Sequence, residues 1–321
     1  MILQSGARYF IRGDTITIVG VFDDRLRYLE PEQKPYGFVR IDDVAKIDKR
    51  EVEGIYEEDL REPPKRYGKV CRVEVNDPKK IPNIRSAVER KGGRCYEMDI
   101  PYIRRLLIDR EYDVKYDECQ AYIDIELDDS KGMPLDYGND KIISIGMYYD
   151  KGDGEWFYIG DYDNEKQMLE NFIATIENDV KTVFVGWNVG FDYKHIFERA
   201  KRMGINNRFL GLVQCVDLKA KYESAVKGLE SYSLEEVSKH EGFEPKKRRG
   251  LVSDMSRREL EEYNMYDALL CRMIEDKYGF VELEFAIAED VNLTLDMCLI
   301  IQKAVKRKGS RVHMLRSRSM G

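Results

Sequence analysis

Tyr122-Ile123-Asp124-Ile125-Glu126-Leu127 reads as a buried strand that carries two carboxylates. Side chains alternate faces along a strand, so residues two apart point the same way and Asp124 and Glu126 stand side by side. Like charges at that spacing repel. Burying the pair is costly unless a cation compensates it, which makes a divalent metal its natural partner. A solvent-facing edge strand carries the same Asp-x-Glu pattern, so the reading depends on the rest of the chain.

Downstream, strand composition returns at Lys141–Tyr148 and Glu155–Ile159, joined by the turn-forming Asp150-Lys-Gly-Asp-Gly154. Met168, Leu169, Phe172, Ile173 and Ile176 then recur at helical spacing, with Asp161 or Asp163 available as the cap. Thr182–Gly186 reads as a short buried strand, Tyr193–Met203 as a helix, Val213–Leu218 as a strand and Leu234–Lys239 as a helix. The charged loop Glu244–Gly250 follows, and then a long helix, Arg257–Tyr278. A meander of strands followed by alternation with helices predicts a mixed sheet with helices packed on it.

Two further acids fall at telling places. In Gly186-Trp-Asn-Val-Gly-Phe-Asp192 a strand ends in a Gly/Asn turn and a helix begins, so Asp192 stands at a strand end, where ligand sites of α/β folds gather, or caps the helix. Tyr263 and Asp267 are four apart on the long helix and share a face, which a surface pair would do equally.

Upstream, residues 1–115 read as a separate α+β domain. It has strands at Thr15–Phe22, Tyr36–Ile41 and Lys69–Val75, and helices at Asn83–Lys91, ended by Gly92-Gly93, and Tyr102–Asp109. Arg110–Glu118 is charged and aperiodic and reads as the linker. The organisation expected is α/β: an α+β domain over 1–115, a mixed-sheet domain over 116–280, and a helical segment over 281–321. That segment has the apolar face Phe285, Ile287, Ala288, Val291, Leu295 and a basic tail, Lys303–Arg318.

With 321 residues and 43% hydrophobic content there is material for two cores. No run of about 18 apolar residues predicts a membrane span, and no secretion signal opens the chain, so a cytoplasmic protein is expected. Six scattered cysteines without a Cys-x-x-Cys pair, and three histidines, speak against zinc and against a disulfide framework. The net charge of -7 does not exclude a polyanion partner. Lys246-Lys-Arg-Arg249 and the tail are basic, and a metal can do part of the binding.

Asp-x-Glu on a strand, Asn188-Val-Gly-Phe-Asp192, and Tyr263-x-x-x-Asp267 on a helix, in that order, resemble the three motifs of the DEDD-type 3′-5′ exonucleases in the variant with a tyrosine. Ala121 to about Tyr278 is similar to the proofreading exonuclease domain of an archaeal family B DNA polymerase. Asp77-Pro-Lys-Lys-Ile-Pro-Asn-Ile-Arg85, Asp99–Asp109, Cys215-Val-Asp-Leu218 and Tyr232-Ser-Leu-Glu-Glu-Val237 extend the likeness over nearly the whole chain. The resemblance implies a ribonuclease-H-like fold and two ions, Mg²⁺ or Mn²⁺. Asp124, Glu126 and Asp267 would hold one, and Asp124 would reach a second whose waters Asp192 fixes. Tyr263 would orient the attacking water, and Asn188 and Phe191 the frayed 3′ end of single-stranded or primer-template DNA. Asn188 and Phe-Asp are one residue closer than family B polymerases commonly have them, as in stand-alone relatives. No palm signature occurs, so DNA synthesis is expected only with a palm and thumb part, in the same gene product or a separate chain.

For the first domain the resemblance implies a pocket for template uracil formed by Tyr9, Pro35, Pro78, Ile81, Arg85 and Tyr102, where prolines and an aromatic would receive a flipped pyrimidine. These prolines are equally turn formers, and Arg85 a helix surface charge. Two other readings stay open. One is a non-catalytic DNA-binding and assembly module of a split polymerase, and the other an RNA-trimming relative of the same fold.

Overall fold

The computed structural model describes residues 1–60, 67–116, 120–130, 132, 137–149, 152, 154–244 and 250–295. The basic stretches Lys246–Arg249 and Lys303–Arg318 lie outside these residues, as does most of the turn at 150–154. Two compact units emerge, one of Met1–Leu3 with Ala7–Asp113, the other of Gln4–Gly6 with the chain from Val114 onward.

In the first unit, β1 (Ile2–Leu3), β2 (Arg8–Arg12), β3 (Thr15–Phe22) and β4 (Arg25–Leu29) form one antiparallel arrangement centred on β3. A second antiparallel sheet has the order β6 (Gly54–Leu60), β7 (Gly68–Glu74), β5 (Tyr36–Arg40), β8 (Cys95–Tyr96). Helix α1 (Lys80–Arg90) buries Ile81, Ile84 and Val88 against Val39, Val73 and Met98 of that sheet's core. Helix α2 (Tyr102–Asp109) buries Tyr102 and Leu106 against Ile16 and Ile18 of β3. The unit ends at β9 (Asp113–Val114), whose Asp113 N–H donates to Met1 O at 3.1 Å. That pairing lies within the stretch expected to be a plain linker.

The strands β2, β4 and β6 were not expected. Arg-Tyr-Phe-Ile-Arg, Arg-Leu-Arg-Tyr-Leu and Gly-Ile-Tyr-Glu-Glu-Asp-Leu bury few residues, so neither face writes an apolar alternation into the sequence.

The second unit is built on one sheet, ordered β12 (Gly154–Tyr158), β11 (Ile142–Tyr149), β10 (Gln120–Leu127), β13 (Val183–Gly186), β14 (Gln214–Asp217). The first three strands pair antiparallel and β10, β13 and β14 parallel, so the sheet is mixed as the pattern predicts. Gln4–Gly6 joins this unit, with Thr182 Oγ1 donating to Gln4 O and Gly6 N–H to Leu212 O. Helices α3 (Glu165–Asn178), α4 (Val189–Arg202), α5 (Leu218–Ala225), α6 (Leu234–Glu241), α7 (Arg257–Tyr278) and α8 (Phe280–Asp290) complete it.

Register assigns the faces. Ile125, Ile145 and Phe157 lie in one row, and Phe157 packs edge-on against Phe172 of α3 at 5.3 Å. The opposite face carries Asp124, Gly146 and Trp156 in one row and Glu126, Ser144 and Tyr158 in the next. Across that face lies α7, seated by a capping box between Ser256 and Glu259 and stopped at Gly279, which takes φ 63°.

Helix α3 is capped by Asn164, not by Asp161 or Asp163, because its side chain accepts from Gln167 N–H at 3.1 Å. Helix α4 begins at Val189, four residues before the expected start, because Asn188 turns the chain at φ 65° directly after β13. No described helix is long and apolar enough to cross a membrane.

Candidate metal centre

Asp124 and Glu126 are half-buried positions of β10, interleaved with the buried Ile123, Ile125 and Leu127. Their shared face is covered by α7, which brings Asp267 to them. One carboxylate oxygen from each of Asp124, Glu126 and Asp267 lies within 4.8 Å of the others. Asp267 is 6% exposed and Asp124 and Glu126 are half-buried, so three carboxylates meet at a partly desolvated site. Hard oxygen donors at this separation suit Mg²⁺, Mn²⁺ or Ca²⁺, and the repulsion among them is what a cation relieves. Tyr263 sits one helical turn before Asp267, half-buried, on the same side of α7.

Asp192 meets β10 at Ile125 and stands outside the group of three acids. Strand β13 pairs with Gln120–Tyr122 and stops at Gly186, so β10 outruns its parallel partner. The backbone N–H of Ile125 donates instead to Asp192 Oδ1 at 3.3 Å. Gly186 has to be small, since a Cβ there would lie 2.8 Å from Ile123 O. Burial pushes the Asp192 carboxyl up to about 8, with Asp217 and Asp267 adding repulsion and the Ile125 N–H opposing it. The neighbouring thiols feel the same field. Cys271 is raised well above its ordinary value by burial and then by Asp124, Asp267 and Asp192, and Cys215 to about 12 by burial and then by Asp192 and Asp217.

Of the residues expected to hold a nucleic-acid end, Phe191 is half-buried and packs against Tyr137 at 5.7 Å and His195 at 4.4 Å. Asn188 is exposed, and its backbone N–H donates to Asp217 Oδ1 at 3.0 Å. Asp217 also accepts from Lys219 N–H at 3.1 Å as the cap of α5. Asp217 thus pins the turn that delivers Asp192.

The first unit contains a cavity of about 430 Å³. Pro35, Pro78, Ile81, Arg85 and Tyr102 all line it, together with Tyr36, Met98 and Arg105. Tyr9 is not among its lining residues and instead meets the Tyr102 ring edge-on at 6.1 Å. The wall is held by polar contacts. Tyr102 donates to Gln33 O at 2.7 Å, Tyr36 to Asp109 Oδ2 at 2.5 Å, and Arg85 to Glu89 Oε1 at 3.0 Å. Burial raises the Tyr102 hydroxyl to about 12.

Two residues at the metal centre escaped sequence reasoning. Asp217 enters only within the segment Cys215-Val-Asp-Leu218 that extends the family likeness, with no role assigned to it. Asn264 is fully buried and donates to Asp124. Nothing in the sequence set it apart, because α7 also buries the polar Asp267 and Glu275.

An RNase H superfamily model matches residues 121–264. Two archaeal proteins described as DNA polymerase are similar to this chain. The one from Thermococcus hydrothermalis is 24% identical over 148 residues, covering 42% of this chain and 9% of its own length. The one from Thermococcus aggregans is 24% identical over 209 residues, covering 55% of this chain and 11% of its own length. The chain therefore spans about a tenth of the length of these curated relatives. The solved structure of the family B DNA polymerase from the hyperthermophilic archaeon Pyrobaculum calidifontis superposes with a TM-score of 0.65 at 19% identity, over 92% of this chain and 47% of the polymerase. Residues 121–264 thus resemble the RNase H superfamily, and the chain carries the fold of part of an archaeal family B DNA polymerase.

Proposed function

We propose that this chain hydrolyses DNA from the 3′ end as the proofreading exonuclease part of a family B DNA polymerase. The observation that carries the reading is the convergence of Asp124, Glu126 and Asp267 within 4.8 Å, with Asp192 bonded to the same strand, on a ribonuclease H-like sheet. The donor set fits Mg²⁺ or Mn²⁺: all oxygen, all anionic, partly desolvated. Asp124, Glu126 and Asp267 would hold one ion and Asp192 the waters of a second near Asp124. Bound there, the ions would stabilise the attacking and leaving oxygens of a phosphodiester displacement.

The chain's own residues supply the rest. The Tyr263 hydroxyl orients the attacking water from the turn above Asp267. Phe191 offers a ring on which any base can stack, which suits an end of arbitrary sequence. Asp192 is delivered by the turn that Asp217 pins, so its placement depends on the backbone rather than on a flexible side chain alone.

A second reading, for the first unit alone, rests on the 430 Å³ cavity, which gathers five of the six residues expected for template uracil. Prolines and Ile81 form a wall against which a flipped pyrimidine stacks, and a tight wall refuses thymine's methyl.

The nuclease reading is tested on single-stranded DNA with Mg²⁺ or Mn²⁺, with and without EDTA, beside Asp124→Ala. Cleavage that needs both the metal and Asp124 is expected. Cleavage unaffected by either refutes it, and its absence from the intact chain favours the non-catalytic DNA-binding module.

A further inference from the structure

Asn264 sits at the middle of α7 with no exposed surface. Asparagine is a poor choice for a helix interior, and a buried primary amide is costly unless its donors and acceptors are all used. Here they are all used. Its Nδ2 donates to Asp124 Oδ2 at 2.8 Å and to Asp124 O at 3.0 Å. Its Oδ1 accepts from Ser144 Oγ at 2.9 Å and from the Trp156 indole N–H at 3.2 Å. An indole nitrogen can only donate, so the amide oxygen must face Trp156 and the NH₂ must face Asp124. The orientation of the amide is therefore set from the side away from the acids.

The sheet is shaped to allow this. Gly146 lies directly between Asp124 and Trp156 in the register, and Ser144 directly opposite Glu126. A Cβ on Gly146 would lie 3.0 Å from the backbone oxygen of Asn264 and 3.2 Å from its Cγ. Glycine at that position leaves the space through which the amide reaches the strand. Asn264 is also neutral. A lysine or arginine there would hold Asp124 equally well but would cancel the charge that a cation needs.

We infer that Asn264, oriented by Ser144 and Trp156, is a positioning residue that fixes the Asp124 carboxylate for cation binding. The inference rests on the reading of Asp124, Glu126 and Asp267 as a metal centre. It gives the buried polar position on α7 a reason beyond packing. Residues that orient a metal ligand from behind typically change affinity about 10–100-fold when removed.

The test is calorimetric titration of Mn²⁺ into the intact chain, with no substrate present. Wild type is expected to bind and Asp124→Ala to lose that binding. Asn264→Ala is expected to weaken it by about 10–100-fold. Leu260→Ala, which empties the same stripe one turn away, should lower the melting temperature without moving the Mn²⁺ affinity. Should Asn264→Ala fail to fold, the pair Ser144→Ala and Trp156→Phe removes both donors that orient the amide while keeping Asn264, and should weaken binding in the same direction. No Asp124-dependent binding in wild type overturns the metal centre itself. Asp124-dependent binding that is unchanged in the folded Asn264 variant, or in the Ser144/Trp156 pair, overturns the positioning role and leaves Asn264 as packing.

Discussion

Asp267→Asn removes one charge from the cluster while keeping the side chain's shape. At 4.8 Å, the outer limit of the separations, two unit charges repel by about 3.5 kcal/mol at an effective dielectric of about 20. Asp267 takes part in two such pairs, with Asp124 and with Glu126. Side-chain adjustment and screening by solvent relieve much of this, so the gain on substitution falls to about 1–3 kcal/mol. For a unit of about 200 residues each kcal/mol moves the melting temperature by about 2–4 °C. In EDTA the variant should therefore melt roughly 2–12 °C higher than wild type. With Mn²⁺ at about 100 times its dissociation constant, wild type should gain about 2.7 kcal/mol by binding linkage, and the variant far less. The assay is thermal unfolding of both proteins with EDTA and with Mn²⁺, and the order of stability should narrow or invert between the two conditions. A variant less stable than wild type in EDTA, or one with an undiminished Mn²⁺ response, would refute the account of these acids as a strained, cation-seeking cluster.

Three further outcomes are expected. Tyr263→Phe should lower turnover by about 10²–10⁴-fold and leave the Mn²⁺-induced rise in melting temperature in place, since only a water-orienting hydroxyl is lost. Equal rates would return Tyr263 to packing. In the first unit, Ile81→Gln should abolish any preference for an oligonucleotide with one uracil over its thymine counterpart, measured by fluorescence anisotropy, and the unsubstituted protein should show that preference. Equal affinities for the two would make the cavity unrelated to uracil. Glu275, 5% exposed, accepts from Val281 and Glu282 N–H, yet burial raises its carboxyl above its ordinary value. The folded state then holds a proton that the unfolded state has released, so this group's contribution to stability falls as pH rises above about 4.5. Glu275→Gln should raise the melting temperature at pH 7, with the gain shrinking as pH falls towards 4.5. A gain independent of pH would contradict this.

The parts of the fold that could be read from the sequence are those whose two sides differ. Helix α7 announces both ends, with Ser256 and Glu259 at one and Gly279 at the other, and its buried apolar positions run from Leu260 to Ile274. From Ala121 to Leu127 strand β10 is apolar except at Asp124 and Glu126, which face α7, so the strand and the acid pair are the same signal. Strands β2, β4 and β6 carry no such contrast because few of their side chains are covered. The start of α4 was hidden because a left-handed asparagine replaces the usual side-chain cap. At the candidate metal centre Asp124, Glu126 and Asp267, which the structure brings together, were legible as charges out of place. Asn264 and Asp217 were not, because their work is to satisfy backbone and carboxylate partners brought from more than 25 residues away. The residues named for the first domain came from the family resemblance and not from spacing, and five of them line one cavity, whereas Tyr9 meets Tyr102 from outside the lining.

The most direct test is the polarity of degradation. Single-stranded DNA labelled at its 5′ end, and the same strand labelled at its 3′ end, are incubated with the protein and Mn²⁺ and resolved at single-nucleotide spacing. The account predicts a descending ladder from the 5′-labelled strand, immediate release of labelled mononucleotide from the 3′-labelled one, and neither in EDTA or with Asp124→Ala. Internal cuts, degradation from the 5′ end, or a ladder that persists in EDTA would contradict it.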